Sequence, residues 1–329
     1  MKLRTVVRLA VTLLAATLIL IGCGKSTPTT SEPSKSEPSA QQTTTQAIKA
    51  VSIIDQVRKS QHFKMFPTLL SEKENDSSFD YEDACIRCHS ETAILRDNNA
   101  KLTDFYSGGK YAKDREGITC LVCHNMGGDK MITVRNSGWE SCATCHTAGT
   151  VTLGKEVHHS QKQMIEGIGV GDVPSKPSYK WASMKDTFSC TDCHVTNGLK
   201  HDFMVPGVTA TYDALGTTRL TTQMNYKEFT TLFKQDKCIT CHYDPSNTIT
   251  KIQQRQDEIS KKLEALKPLF DSWEKKLKTI DPKDPKVVQF NNARTYYMYV
   301  TSDASKGAHN YALAKALLER AEIEITKLK

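Results

Sequence analysis

Aromatic residues are scarce in this chain. Only 7% of its 329 residues are Phe, Trp or Tyr, and three are Trp. Mean hydropathy is negative. A chain of this length ordinarily forms one or two domains, but this composition leaves little side-chain material for a large interior. No segment shows the sustained apolar–polar alternation of a sheet. Long hydrophobic runs are also missing. The one apolar stretch, Leu9 to Ile21, is shorter than the roughly 20 residues a membrane span needs. The pairs Gly108-Gly109 and Gly127-Gly128 are followed by no Lys-Ser/Thr, which excludes a phosphate loop. The formal charge is +7, yet no basic stripe interleaved with aromatics occurs, so nucleic acid is not an expected partner.

Cysteine and histidine are what the chain does have. Ten of its eleven cysteines fall in five copies of Cys-x-x-Cys-His: Cys85/Cys88/His89, Cys120/Cys123/His124, Cys142/Cys145/His146, Cys190/Cys193/His194 and Cys238/Cys241/His242. This is the c-type heme attachment signature. Two thiols bond to the two vinyl groups on one edge of a porphyrin, and the following histidine ligates iron from the proximal side. Zinc knuckles would pair in twos, and five is odd. A disulfide framework has no need of a histidine after every second cysteine. A redox dithiol occurs once, not five times. Five covalent hemes c are therefore expected. Porphyrins then replace missing apolar side chains, and folding is coupled to heme attachment. Three of the positive charges, Lys2, Arg4 and Arg8, lie in residues 1–22, so loss of that segment leaves +4. Heme propionates make the loaded protein acidic.

The first 22 residues read as a secretory signal peptide. They end in Leu20-Ile21-Gly22-Cys23, the pattern of a bacterial lipobox, which accounts for the eleventh cysteine as a lipid-attachment residue. Residues 23–46 are Ser, Thr, Pro, Glu, Gln and Lys with little that is apolar, the composition of a flexible tether. A pentaheme domain over 47–249 and a C-terminal helical region over 250–329 complete the expected organisation. The protein is thus expected to be exported and anchored by lipid, on the periplasmic side or at the cell surface.

The fold class expected is mostly α, a multiheme cytochrome c arrangement with little or no sheet. The motifs start 35, 22, 48 and 48 residues apart, room for short helices and loops only. Ile48, Val51, Ile54 and Val57 predict a helix over 47–66 that Pro67 ends, with a polar loop over 71–80. Residues 202–228 show few helix or strand signals and read as a covering loop. Ile252, Ile259, Leu263, Leu266, Phe270, Trp273, Leu277 and Ile280 recur at helical spacing, which predicts a long amphipathic helix over 250–280. Further helices are expected over 287–302 and 310–328. The long stripe suits a hairpin covering the last hemes, or a homodimer contact through the C-terminal helices.

Outside the motifs stand five more histidines: His62, His158, His159, His201 and His309. The number equals that of the distal iron positions, so the expected metal ligands are these five and the five proximal histidines. His201 lies too near His194 in sequence to reach over the same ring and is expected to serve a neighbour. On a helix His158 and His159 would point about 100° apart and could serve two hemes. If one of them does not ligate, one iron has a methionine (Met65, Met126, Met131, Met164, Met184 and Met204 lie in the region) or an open side.

Repeated Cys-x-x-Cys-His motifs followed by long C-terminal helices resemble the multiheme cytochromes related to pentaheme nitrite reductase. Phe188-Ser-Cys-Thr-Asp-Cys-His-Val-Thr with His201-Asp-Phe is similar to that family's fourth heme site. Ser305-Lys-Gly-Ala-His309-Asn310 resembles its distal histidine between the last long helices. His158-His-Ser-Gln-Lys-Gln-Met-Ile-Glu-Gly167 resembles a distal-ligand segment. The family's catalytic heme is usually held by Cys-x-x-Cys-Lys, whereas every motif here ends in histidine. The resemblance, so altered, implies electron transfer with no catalytic residue assigned. Reduction of nitrite or hydroxylamine at one open heme is the alternative. The partners implied are other cytochromes, a membrane quinol-oxidising complex and a terminal acceptor such as a metal oxide, an electrode or a partner reductase.

Overall fold

A computed structural model describes residues 52–125, 133–136, 138–176, 189–196, 200–213, 219–231 and 243–328. All of them lie in one compact unit, Gln46–Lys329. The leader, Cys23, the tether and the fifth motif with Cys238, Cys241 and His242 fall outside the described residues, as do Met126, Met131 and Met184.

The described residues are mostly helical, with two small two-stranded sheets. A helical segment over 52–59 precedes α1 (Gln61–Asn75). Short helices follow: α2 (Ile86–His89), α3 (Glu91–Leu95), α4 (Cys120–Cys123), α5 (Gly138–Ala143), α6 (Gln161–Glu166), α7 (Cys190–His194) and α8 (Tyr226–Phe229). Three long helices close the chain: α9 (Pro245–Leu277), α10 (Pro285–Asp303) and α11 (Tyr311–Thr326). The strands are β1 (His124–Asn125), β2 (Thr133–Val134), β3 (Val208–Tyr212) and β4 (Arg219–Met224), paired antiparallel as β1–β2 and β3–β4.

The three long helices hold most of the protein-only core. Ile259, Leu266, Phe270 and Trp273 of α9 face Phe290, Tyr296 and Tyr299 of α10 and Leu313, Leu317 and Leu318 of α11. Each buried leucine contributes about 1.5–3 kcal/mol. The amphipathic stripe is therefore satisfied within the chain, as the hairpin reading expects. Pro245 and Pro285 sit in the first turns of α9 and α10, where their missing N–H is not needed. Asp244, Asp284 and Asn310 accept backbone N–H groups as caps. A second, smaller core joins Phe66, Leu70, Tyr81, Ile86 and Phe105 around α1 and α2. The first motif borders this smaller core, with Ile86 in it and Cys85 packed against it.

Two expectations are corrected. Pro67 does not end a helix. It lies inside α1, which runs on through residues 71–75, expected to be loop. Proline at 67 cannot donate to the Phe63 carbonyl. The chain uses the exposed carbonyls there: Ile118 N donates to His62 O at 2.8 Å, and Gly117 packs where a Cβ would come 2.4 Å from Phe63 O. The region 202–228 is not loop throughout but carries the β3–β4 hairpin. Its signal was the β-branched content of Val208, Thr209, Thr211, Thr221 and Thr222, half-buried and exposed residues alternating along β3.

Candidate heme sites

Each described motif folds as about one helical turn. Cys88 N donates to Cys85 O at 3.1 Å, and His146 N to Cys142 O at 2.9 Å. Thr119 caps α4 through its side chain, and Asp192 accepts from Ser189 N at the start of α7. A turn of this kind puts residues three and four apart on one face, so two thiols and a histidine face the same way. None of the eight described motif cysteines is in a disulfide. The motifs are also packed together. Cys88 hydrogen-bonds Cys145, and Cys142 hydrogen-bonds Cys190, which joins the first motif to the third and the third to the fourth.

Cys193 differs from the other described motif cysteines in burial. It is exposed, whereas Cys85, Cys88, Cys120, Cys123, Cys142, Cys145 and Cys190 are half-buried. The cause is its place on α7. Cys142 covers Cys190 at the first residue of that helix, and Cys193 lies almost a full turn further on, past that contact.

The distant histidines come to the motif histidines. His62 Nε2 faces His146 Nε2 at 3.5 Å. The rings of His124 and His201 lie 6.3 Å apart, as do those of His89 and His159. Two metal–imidazole bonds of about 2 Å each put facing nitrogens about 4 Å apart, so these spacings suit pairs that share one metal. His309 lies beside the Cys190 thiol of the fourth motif, whose charge acts on it.

His158 and His159 depart from expectation. They are not on a helix, so the 100° argument does not apply. His159 has φ +53°, and the two rings stand 3.9 Å apart. Ligand atoms of His89, His158 and His159 all lie within 4.8 Å of one another. Both histidines therefore gather at the first motif, and the His159 ring also lies 5.2 Å from that of His146 in the third. The segment is pinned to α10: Ser160 Oγ donates to Tyr299 O at 2.7 Å, and Thr295 Oγ1 accepts from Gly154 N at 3.0 Å. Met164, one of the spare methionines, is fully buried in the long-helix core and is packing.

The electrostatics keep the imidazoles neutral, the form that binds metal. Burial, then the like charges of neighbouring rings, pushes His62 and His159 down to about 3 and His89 down to about 4. Burial also lowers His146 and His158. His309 behaves differently. Burial opposes its charge, but the Asp303 carboxylate overcomes this and raises it.

Some positioning residues were not foreseen. Phe203 packs edge-on against His62 with ring centres 4.4 Å apart, and its carbonyl meets His194 Nδ1 at 2.9 Å. Gln56 Oε1 accepts from His201 N at 2.7 Å. Asp303 Oδ1 meets His309 Nδ1 at 2.6 Å. The available signals were faint: an aromatic two residues after His201, and an aspartate six before His309.

These residues fit heme c. The described motifs supply thiol pairs outside any disulfide and imidazoles that face one another. Buried polar atoms without a protein partner, His89 Nδ1, His124 Nδ1 and the Tyr81 hydroxyl, line the same region.

Solved structures of similar fold bear on the class. The outer cell wall cytochrome OcwA matches with TM-score 0.57 and 27% identity, over 83% of this chain and 50% of that one. The fold is that of a multiheme c-type cytochrome. Such neighbours support heme c as the cofactor and, at a coarse level, heme-based electron transfer as the chemistry. An undecaheme cytochrome from the S-layer of Carboxydothermus ferrireducens shares the cytochrome's fold, with TM-score 0.50 and 23% identity over 81% of this chain and 40% of that one. So does the cytochrome c nitrite reductase of Desulfovibrio desulfuricans, with TM-score 0.50 and 12% identity over 77% and 65%. The cytochrome thus spans about half the length of OcwA and less than two thirds of the other two. No family model and no curated protein matches it.

Proposed function

We propose that the cytochrome is an electron conduit of five covalent hemes on an exported, lipid-anchored chain. The observation that carries this is the pairing of histidines from distant parts of the sequence at metal-sharing distances: His62 with His146, His201 with His124, and His159 with His89. His309 completes the fourth site with His194. Two imidazoles per iron hold Fe(III) and Fe(II) with little rearrangement, which keeps the barrier to electron transfer low. The thiol contacts between motifs one and three, and three and four, set their hemes side by side, so electrons pass between rings without leaving the protein. The chain's own work is placement and tuning of the irons.

Other cytochromes or a membrane quinol-oxidising complex supply the electrons, and an extracytoplasmic acceptor (a metal oxide, an electrode or a partner reductase) receives them. The names of the outer cell wall and S-layer relatives, with the lipobox at Cys23, support work outside the cytoplasm. No described helix is long and apolar enough to cross a membrane.

One observation favours a second reading. If His158 and His159 both serve the first motif, the count of ten histidines leaves none for the far side of the fifth motif's iron, a motif outside the described residues. That iron then has a weak or open far side and is where a small nitrogen compound would be reduced. Heme stoichiometry by pyridine hemochrome on the purified, full-length protein, followed by cyanide addition, tests both readings. Five hemes with no cyanide response support the conduit alone. Five with one responsive heme support the second reading. Fewer than five refute the attachment reading.

A further inference from the structure

We propose that Asp303 is a positioning residue that lowers the reduction potential of one iron by holding His309 as an electron-rich ligand. The inference rests on the reading of His309 as a distal ligand.

Asp303 is the last residue of α10, and its side chain is buried, the residue being 2% exposed. One carboxylate oxygen meets His309 Nδ1 at 2.6 Å. The other accepts from the Ser305 hydroxyl, while Ser305 Oγ accepts from His309 N at 3.1 Å. The turn that closes this ring is costly to make. Ala304, Lys306 and Gly307 have φ of +58°, +52° and +85°. Two of these are not glycine, and a side chain in that left-handed region is strained. The cost fits a turn whose job is to bring Asp303, Ser305 and His309 together. Asn310 secures the far side by accepting from Leu313 N and donating to Lys176 O at 2.8 Å.

The chemistry follows from which nitrogen carries the proton. Asp303 accepts the Nδ1 proton, which leaves the Nε2 lone pair for iron. A carboxylate draws that proton harder than a neutral acceptor, so the imidazole takes on anionic character and donates more strongly. Fe(III) is then favoured over Fe(II), and adding an electron becomes harder. His194 makes the contrast, since its Nδ1 meets the dipole of the Phe203 carbonyl rather than a carboxylate. The heme of the fourth motif, beside which His309 lies, is accordingly held at low potential within the conduit.

Spectroelectrochemical titration of the full-length, heme-loaded protein tests this. Asp303→Asn removes the negative charge and keeps the shape. One midpoint is expected to move up while the others stay, with a shift in one low-spin EPR signal. Ser305→Ala removes a donor that disperses the carboxylate charge, and the same midpoint is expected to move down. A purely structural role would not give shifts of opposite sign at one heme. If Asp303→Asn does not accumulate with its hemes, Ser305→Ala alone decides. Midpoints that stay in place in both variants, or a downward shift in Asp303→Asn, overturn the proposal. His309→Ala separates the two levels of the argument. Unchanged low-spin signals in that variant refute His309 as a ligand. Loss of one such signal, with Asp303→Asn silent, refutes the dyad alone.

Discussion

Replacing Gly117 with alanine should disturb the third heme although residue 117 carries no ligand. Gly117 is buried against the first turn of α1. A Cβ there would lie 2.4 Å from Phe63 O and 2.6 Å from His62 O. Contacts under 3.0 Å are essentially never seen, so backbone must move by at least 0.6 Å. The atoms in the way belong to backbone that cannot rotate aside. The move separates Ile118 N from His62 O, now at 2.8 Å, and loses about 1 kcal/mol of hydrogen bonding. Overpacking strain adds about 1–3 kcal/mol. It also displaces His62, whose imidazole must stay within about 2 Å of the iron. Gly117→Ala should therefore lose about 2–4 kcal/mol of stability and convert one heme wholly or partly to high spin. Thermal melting and EPR on one sample read both effects. Gly108→Ala is the control. Gly108 has φ +82° but open space around it, so it should cost about 1 kcal/mol through backbone strain and leave every heme low-spin. Unchanged spin state and melting temperature in Gly117→Ala would refute the reasoning.

Other outcomes follow from the same contacts. Leu317→Ala, at a fully buried position, should cost about 2–5 kcal/mol in denaturant titration while the heme spectra of the folded protein stay unchanged. His201→Ala should turn the second-motif heme high-spin and leave the His62–His146 site alone. A chain whose motif cysteines are all alanine should keep a protease-resistant fragment containing α9 to α11, because that core is built without porphyrin, and should lose the rest to digestion. Acid should weaken the fold with a definite sign. His62 and His159 take up protons near 6.5 when unfolded but only near 3 when folded, and His89 near 4. The unfolded chain therefore binds more protons between those limits, so stability falls as pH drops through 6.5 and levels off near 3. Iron competing for the same nitrogens keeps that sign. Melting temperatures from pH 7 to 3 check it, and a rise in this range would contradict it.

The sequence was most legible where chemistry is local. Cys-x-x-Cys-His is fixed by the spacing of two porphyrin vinyl groups, so it can be read without a fold. The long helices were equally clear, because α9 to α11 bury stripes at helical period against each other, and their ends carry proline and asparagine or aspartate caps. Their observed bounds differ from the expected ones by a few residues, mostly at the starts. What failed was non-local or exceptional. Pro67 signals a stop by the helix rules, which do not foresee a strand of chain such as Gly117-Ile118 packing beside the carbonyls of His62 and Phe63. The β3–β4 hairpin was missed because its strands are short and largely threonine. Histidine could be counted from the sequence but not paired. That His62 faces His146 depends on a chain reversal of 84 residues. That His158 and His159 converge on His89 depends on a left-handed backbone angle at His159. Asp303 reaches His309 only through a strained four-residue turn.

The pairing of histidines around iron is the central claim, and near-infrared magnetic circular dichroism of the oxidised full-length protein tests it most directly. The charge-transfer band there reports which atoms ligate low-spin iron. Bis-histidine bands accounting for four of the five hemes are predicted, each lost singly in His62→Ala, His201→Ala and His309→Ala. Bands dominated by histidine–methionine ligation, or bands unmoved by all three variants, would contradict it.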